Sequence, residues 1–402
     1  MQRTFYFLGI LFTTILVSCD SDDVANDVVL SPDVGFNDIT IVAAQLDERN
    51  RITSWHQIDV DENEVVGIQN LSQEYGFEED VLFRLDTNEN ISFIEDSFSA
   101  SDGNAVKLVS KNISSGESQI VQDFYKIVET NNRFIFMQSS ANKESIFTLH
   151  YENELVGDES FDMVFFSKVN SVTSSMETLW SARWEQNGNE TISIGSGESS
   201  SGITVTDKYY VIDYSKRGTN TSYHIEVYDL RTNRLIKSFE SDVLLDLLIR
   251  DDMVCISDGG ILELYNLQSK QSKKFENDDL VGISLTRPGF GFVDKDYFIF
   301  GTSFGNRLPF PLITLLDFNS NQIVSLDIVE LFGEQLDHLG SNLSVMGESY
   351  FVDFERRRIL ISYSYQNEGE KKYELASLTF EGEVLDYMVL PQNYSPKAVL
   401  FN

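Results

Sequence analysis

The chain has 402 residues, with 64 acidic and 30 basic side chains, a net charge of −34 at pH 7 and 42% hydrophobic residues. That balance excludes a phosphate-backbone binder, which needs clustered Lys and Arg, and docking on anionic lipid through a basic patch. A soluble, self-repelling surface is what such acidity implies, and nearly 400 residues are enough to bury a sizeable core.

The first element is an address. Arg3 is the one charge before an apolar run from Phe5 to Val17, which Asp20 ends. The run is shorter than the ~20 residues a membrane span takes and has the length of a secretory signal core. Leu16-Val17-Ser18-Cys19 resembles the bacterial lipobox. That resemblance implies cleavage of residues 1–18, a diacylglyceryl group on the Cys19 thiol and an acylated new N-terminus, hence stable anchoring by two or more chains. Residues 19–36, "CDSDDVANDVVLSPDVGF", read as an acidic tether with no clear period. Their Ser-Asp-Asp run resembles the export signal of surface lipoproteins in Bacteroidetes-type bacteria, which implies the outer membrane. An Asp beside the lipidated cysteine is an inner-membrane retention mark in other bacteria, but here the acid continues through Asp22 and Asp23. Residues 37–402 read as one folded domain.

Within that domain short apolar runs alternate with polar turns, prolines are few, and no long amphipathic helix is predicted. In chain order the hairpin-like stretches are "AAQLDERNRITSW" (43–55), "LFRLDTNENISFI" (82–94), "FTLHYENELVGD" (147–158), "IEVYDLRTNRLIKS" (225–238), "ILELYNLQSKQSKK" (261–274), "LITLLDFNSNQIVS" (312–325) and "LASLTFEGEVLDY" (375–387). In the clearest copies alternating apolar residues lead to an Asp or Asn, one apolar residue, polar turn formers and a second strand. Asp and Asn bond backbone amides just ahead of them, and Asn tolerates the left-handed conformation of tight turns. Asp47 and Asp86 stand 39 residues apart and Asp229 and Asn266 37 apart; the steps to Asp317 and Thr379 lengthen to 51 and 62. A period near 40 built of strand and turn predicts an all-β fold, a β-propeller of four-stranded blades, seven or eight in number, with seven the better fit. The runner-up is a pair of β-sandwiches. Against it, the repeats cross the middle of the chain, and "IGSGESSSG" (194–202) reads as a loop between blades.

Residues 203–275, with "YHIEVYDLRTNRLIKSFES" and "DLLIRDDMVCISDGGILELYNLQSKQSKKF", resemble blades of YVTN-type and quinoprotein-like propellers. The resemblance implies fold and stops there. Asn233 follows Thr232 where the quinoprotein pattern has Gly, and Phe239 stands where its closing Trp would be, so no quinone or other cofactor is implied. The Trp-Asp pair of WD repeats and the sialidase box are absent from the sequence.

Candidate chemistry is thin. Asp59, Asp61 and Asn63 alternate as calcium ligands do, but Glu64 stands at the glycine position and Asn70 where a bidentate Glu belongs, so an acidic turn is the expectation; Asp86 starts a stretch with the same flaw. Ser196, between glycines, reads as loop. "RPGFGFVDKDYF" (287–298) reads as the lining of a sugar or peptide pocket, with Asp294 and Asp296 as a carboxylate pair, or equally as a bulged strand. Trp180 and Trp184 read as core or blade seam. Arg356, Arg357 and Arg358 form the one basic triplet, expected to cap a turn or pair with nearby acids. The histidines at 56, 150, 224 and 338 are scattered, and Cys255, alone once Cys19 is lipidated, reads as a buried strand residue. The functional expectation is a lipid-anchored, non-catalytic binding or scaffold propeller for a protein or glycan partner. The alternative is a surface glycoside hydrolase or lyase with a carboxylate pair at the propeller channel.

Overall fold

A computed structural model describes residues 35–37, 39–76, 81–85, 90–95, 107–113, 115–121, 134–141, 145–156, 159–170, 175–184, 191–194, 202–217, 220–243, 245–258, 261–276, 291–302, 312–328, 330–331, 346–367, 370–391 and 393–401. Among these residues the chain forms seven antiparallel sheets, the blades of a β-propeller. Each blade has four strands, a to d, from the most enclosed to the most exposed.

Blade 2 holds Val81–Leu85, Asn90–Glu95, Lys107–Asn112 and Ser118–Val121; blade 3 holds Phe134–Ala141, Ile146–Val156, Glu159–Asn170 and Ser175–Trp184. Blade 5 holds Asp246–Arg250, Met253–Asp258, Ile261–Asn266 and Ser272–Glu276; blade 6 holds Gly291–Val293, Tyr297–Thr302, Leu312–Asp317 and Ile323–Asp327; blade 7 holds Met346–Asp353, Arg358–Asn367, Glu370–Thr379 and Val384–Val389. In blade 4, strands b to d are Tyr209–Arg217, Thr221–Asp229 and Arg234–Ser241. Its a edge is split into Thr191–Ile194 and Ile203–Val205, both paired with the b strand. "IGSGESSSG" therefore interrupts the inner edge of one blade and does not separate two. Its residues 195–201, Ser196 included, lie outside the described residues.

Blade 1 closes the ring. Its a strand is the C-terminal Tyr394–Phe401, paired with Ile39–Leu46, and Ile52–Asp61 and Glu64–Asn70 follow. The seams are apolar, because both faces of a blade pack on neighbours. Buried clusters join blade 1 to 2, 3 to 4, 4 to 5, 5 to 6, 6 to 7 and 7 to 1. Between blades 2 and 3, Asn90–Glu95 lies beside Phe134–Ala141. The one helix with a full description, Leu71–Tyr75, is five residues long and buries Leu71 and Tyr75 in the seam of blades 1 and 2.

Cys255 follows the alternation of its strand. With Met253 it joins the seam to blade 6, while Val254 and Ile256 turn to blade 4. It is 0% exposed, and burial pushes its thiol pKa well up.

The turn motif has one home, the connection from strand c to strand d. Asp229, Asn266 and Asp317 each accept the amide four residues on, whose residue (Asn233, Lys270, Asn321) is left-handed, and each side chain accepts amides inside the loop. Thr379 does the same in a turn one residue shorter that ends on Gly382 at φ 90°. Asn112 heads a copy in blade 2 that the sequence comparison missed, with Ser115 NH on its Oδ1 and Gly116 at φ 71°. The apolar residue after the marker is buried in the seam to the preceding blade, as at Leu267, Phe318 and Phe380. Its amide ties back to the a–b turn of the same blade in Leu230 to Lys208, Leu267 to Asp252 and Phe318 to Asp296, each at 2.8 Å.

Three looser copies do not belong to this set. Asp47 heads a b–c turn, since the chain's first strand is a b strand once the C-terminus supplies strand a. Asp86 falls between the a and b strands of blade 2, at residues outside the described set. "YENE" lies inside the strand Ile146–Val156. The 39-residue step from Asp47 to Asp86 thus joins two unlike positions.

Candidate functional site

The a–b and c–d turns share one face of the propeller, and on that face the inner strands end at the mouth of the channel. In blades 5 and 6 the inner strands lie side by side, so Arg250, the last residue of one, and Asp294, the first beyond the other, reach the same level. Blade 7 contributes the turn Asp353-Phe354-Glu355-Arg356-Arg357. The Arg250 guanidinium lies 4.8 Å over the ring of Phe354, a geometry favoured by the ring's negative face. Phe354 meets Phe380 edge-on at 6.2 Å, and Phe380 meets Tyr297 at 5.2 Å. Arg357 covers the other end, 5.4 Å from the Tyr297 ring and 5.7 Å from Phe380, with its Nη2 donating to Glu381 at 3.2 Å. "DKDYF" and "FERRR", remote in sequence, are thus halves of one cluster.

The electrostatics are mixed. Burial lowers the pKa of Arg250, against which Asp251, Asp294, Asp353 and Glu355 act. Burial raises that of Asp294, although its Oδ1 accepts the amides of Tyr297 and Asp296 at 2.6 and 2.7 Å. Asp296 accepts Asn319 Nδ2 at 3.2 Å and stands 3.9 Å from Lys295. As a pair, Asp294 and Asp296 are turn-capping and surface groups of one short loop.

Of the basic triplet, only Arg357 joins the aromatic cluster. Arg356 and Arg358 both hold Asp353, at 3.1 and 2.9 Å. Arg358 is 1% exposed, stacks 5.3 Å over Phe401, and donates to the carbonyl of Gly35. This pair belongs to the ring closure. On the blade 1 side Asn63 accepts the amide of Phe36 and donates to Asp386, both at 2.6 Å.

That use of Asn63 separates the calcium candidates. Asp59 accepts Thr40 Oγ1 and Gln57 Nε2 within its sheet, and Asp61 ends the strand before a two-residue turn with Glu62 and Asn63 at φ 48° and 62°. Among the described residues no group of three or more His, Cys, Asp or Glu is placed to hold a metal. Trp180 packs 6.0 Å from Tyr214 at the seam of blades 3 and 4, and Trp184 ends its strand opposite Asp162. His56 and His224 occupy matching places in the c strands of blades 1 and 4. Each bonds the Ser two residues before it, and burial lowers the pKa of both. Cys19 lies outside the described residues.

Sequence reading missed Arg250 and Phe354. The available signal was slight: a lone Arg closing the apolar run "LLDLLI" and followed by two acids.

No family model matches the chain, and no curated protein matches it. Among solved structures it is similar to the AfRom2 CNH domain, with 10% identity, 85% of this chain and 95% of that one covered, and a TM-score of 0.35. It is also similar to a variant of the Synechocystis apocarotenoid oxygenase, at 8% identity, 92% of each chain and a TM-score of 0.42. A third likeness is to a neuraminidase-like protein of A/little yellow-shouldered bat/Guatemala, at 10% identity, 79% and 97% coverage and a TM-score of 0.34. Likenesses this distant assign no family, and the propeller rests on its own sheets and their closure.

Proposed function

We propose that this protein is a lipid-anchored cell-envelope protein of the outer membrane whose propeller is a non-catalytic binding or scaffold module for a protein or glycan partner. The observation that carries the reading is the convergence of three successive blades on one mouth, where Arg250, Asp294, Phe354, Tyr297 and Arg357 place charge and aromatic surface together. The lipobox-like Leu-Val-Ser-Cys ending at Cys19, and the acid that follows it, support the anchor. A hydrolase reading has one point in its favour, the raised pKa of Asp294, as a general acid needs. The use of Asp294 and Asp296 in their own turn favours binding.

Two experiments test the proposal. A photo-crosslinking residue at Lys295, 83% exposed beside the mouth, is expected to trap a partner in intact outer membranes; recovery of the bait alone overturns the binding role. Cys19→Ala protein is expected to leave the membrane fraction in a carbonate wash, and its retention overturns the anchor.

A further inference from the structure

We propose that the mouth formed by Arg250, Asp294 and Phe354 binds a neutral, hydroxyl-rich ligand, a sugar unit of a glycan. This rests on the binding role above and names its chemistry. A guanidinium carries five N–H donors in a planar fork. Among the described residues Arg250 spends none of them on a hydrogen bond; its recorded partners are the face of Phe354 and the charges around it. Phe354 is itself braced edge-on by Phe380, which fixes the ring that the Arg250 guanidinium lies over. Beside it, Asp294 commits Oδ1 to two amides, while no described donor reaches Oδ2. Among the described residues, a donor fork and an acceptor oxygen without hydrogen-bond partners therefore stand at the same level of one mouth.

A hydroxyl group is donor and acceptor at once, so two neighbouring hydroxyls of a sugar ring satisfy both partners together. Charge decides against the other ligand classes. An anion would meet Arg250 but also the field of Asp251, Asp294 and Glu355, and two of the nearby arginines, Arg356 and Arg358, are already spent on Asp353. A cation would be repelled by Arg250 at contact. A neutral polyol suffers neither penalty, and it brings no charge of its own into the site.

The test uses the full-length protein in detergent micelles and measures calorimetric binding of neutral cello-, malto-, manno- and xylohexaose beside hexagalacturonate. At least one neutral hexasaccharide is expected to bind with an affinity unchanged by added salt, since no ion pair is screened. Arg250→Met and Asp294→Asn, the latter keeping the turn acceptor but losing Oδ2, are each expected to weaken it more than tenfold. In the wild-type protein the bound sugar is expected to shield Arg250 from phenylglyoxal, read by mass spectrometry, which needs no variant to fold. Failure of every neutral sugar, salt-sensitive binding of hexagalacturonate alone, variants that bind as wild type, or an unshielded Arg250 would each overturn the inference. A partner trapped at Lys295 while the sugars fail leaves the binding role standing and removes only the sugar.

Discussion

Blades 4 to 6 and the junction of blades 7 and 1 solve the same packing problem with different means. In blades 4 to 6 each blade carries its own copy of one device: an Asp or Asn caps the c–d turn, the next residue fills the seam to the preceding blade, and its amide ties to the a–b turn. The cap and the amide tie fall within one blade, while the plug enters the mainly apolar seam to the preceding blade, whose rim adds a few polar contacts such as Lys208 Nζ and Tyr209 OH on Asp252. The closure instead joins the two ends of the chain. The C-terminal strand pairs with the first strand, and Arg358, Asp353, Gly35, Asn63 and Asp386 are tied by polar contacts spanning up to 323 residues. Local devices are cheap in chain entropy. Contacts between chain ends must overcome loop closure across the whole domain, and here they use a buried charge pair and hydrogen bonds as well as apolar area.

Three measurements break or sharpen this contrast. The largest effect is expected at the closure. Arg358→Ala leaves Asp353 buried with Arg356 as its remaining cation, and removing one partner of a buried pair costs on the order of 3–5 kcal/mol. Urea unfolding of Arg358→Ala is expected to show that loss; a cost below that of the seam variant below would show that the closure is not where polar contacts matter most.

The second effect lies in an apolar seam of the regular half. Cys255→Ser buries a hydroxyl without an assured acceptor, at about 1–3 kcal/mol. The raised thiol pKa and full burial also make the native thiol slow towards alkylating reagents and the denatured thiol fast. Rapid labelling of folded protein would remove the seam from this account.

The smallest effect is at a single turn. Asp229→Ala removes the bonds to Thr232 NH and Oγ1 and is expected to cost roughly 1 kcal/mol. The Thr232 hydroxyl, ahead of other causes, holds the Asp229 pKa below its ordinary value of 3.8. A depressed carboxylate pKa gives stability that is full above pH ~3.9 and is lost as pH falls towards the folded value. The variant should therefore lose less stability than wild type on acidification through that range, and identical acid profiles would show the turn to be indifferent to the charge.

The amino-acid sequence by itself determined the repeated hairpin, the four-stranded blade and the preferred count of seven. It also determined the burial of Cys255, because alternation and turn chemistry act over a few neighbouring residues. It failed where a strand's place in its blade depends on the far end of the chain. Asp47 carries the right side-chain chemistry, yet the C-terminal strand makes its hairpin b–c. The glycine- and serine-rich stretch after Ile194 has the composition of a linker, yet two short strands flanking it share one partner. Of the candidate mouth only the stretch holding "DKDYF" was legible as pocket lining; the basic triplet was expected to cap a turn or pair with acids, as Arg356 and Arg358 do on Asp353. Only the tertiary structure set Tyr297 under Arg357, brought Arg250 across from blade 5 to Phe354, and drew Arg358 away into the closure. Those choices are made by the order of blades around the ring, and a side chain's local sequence holds no record of which blade will stand beside it.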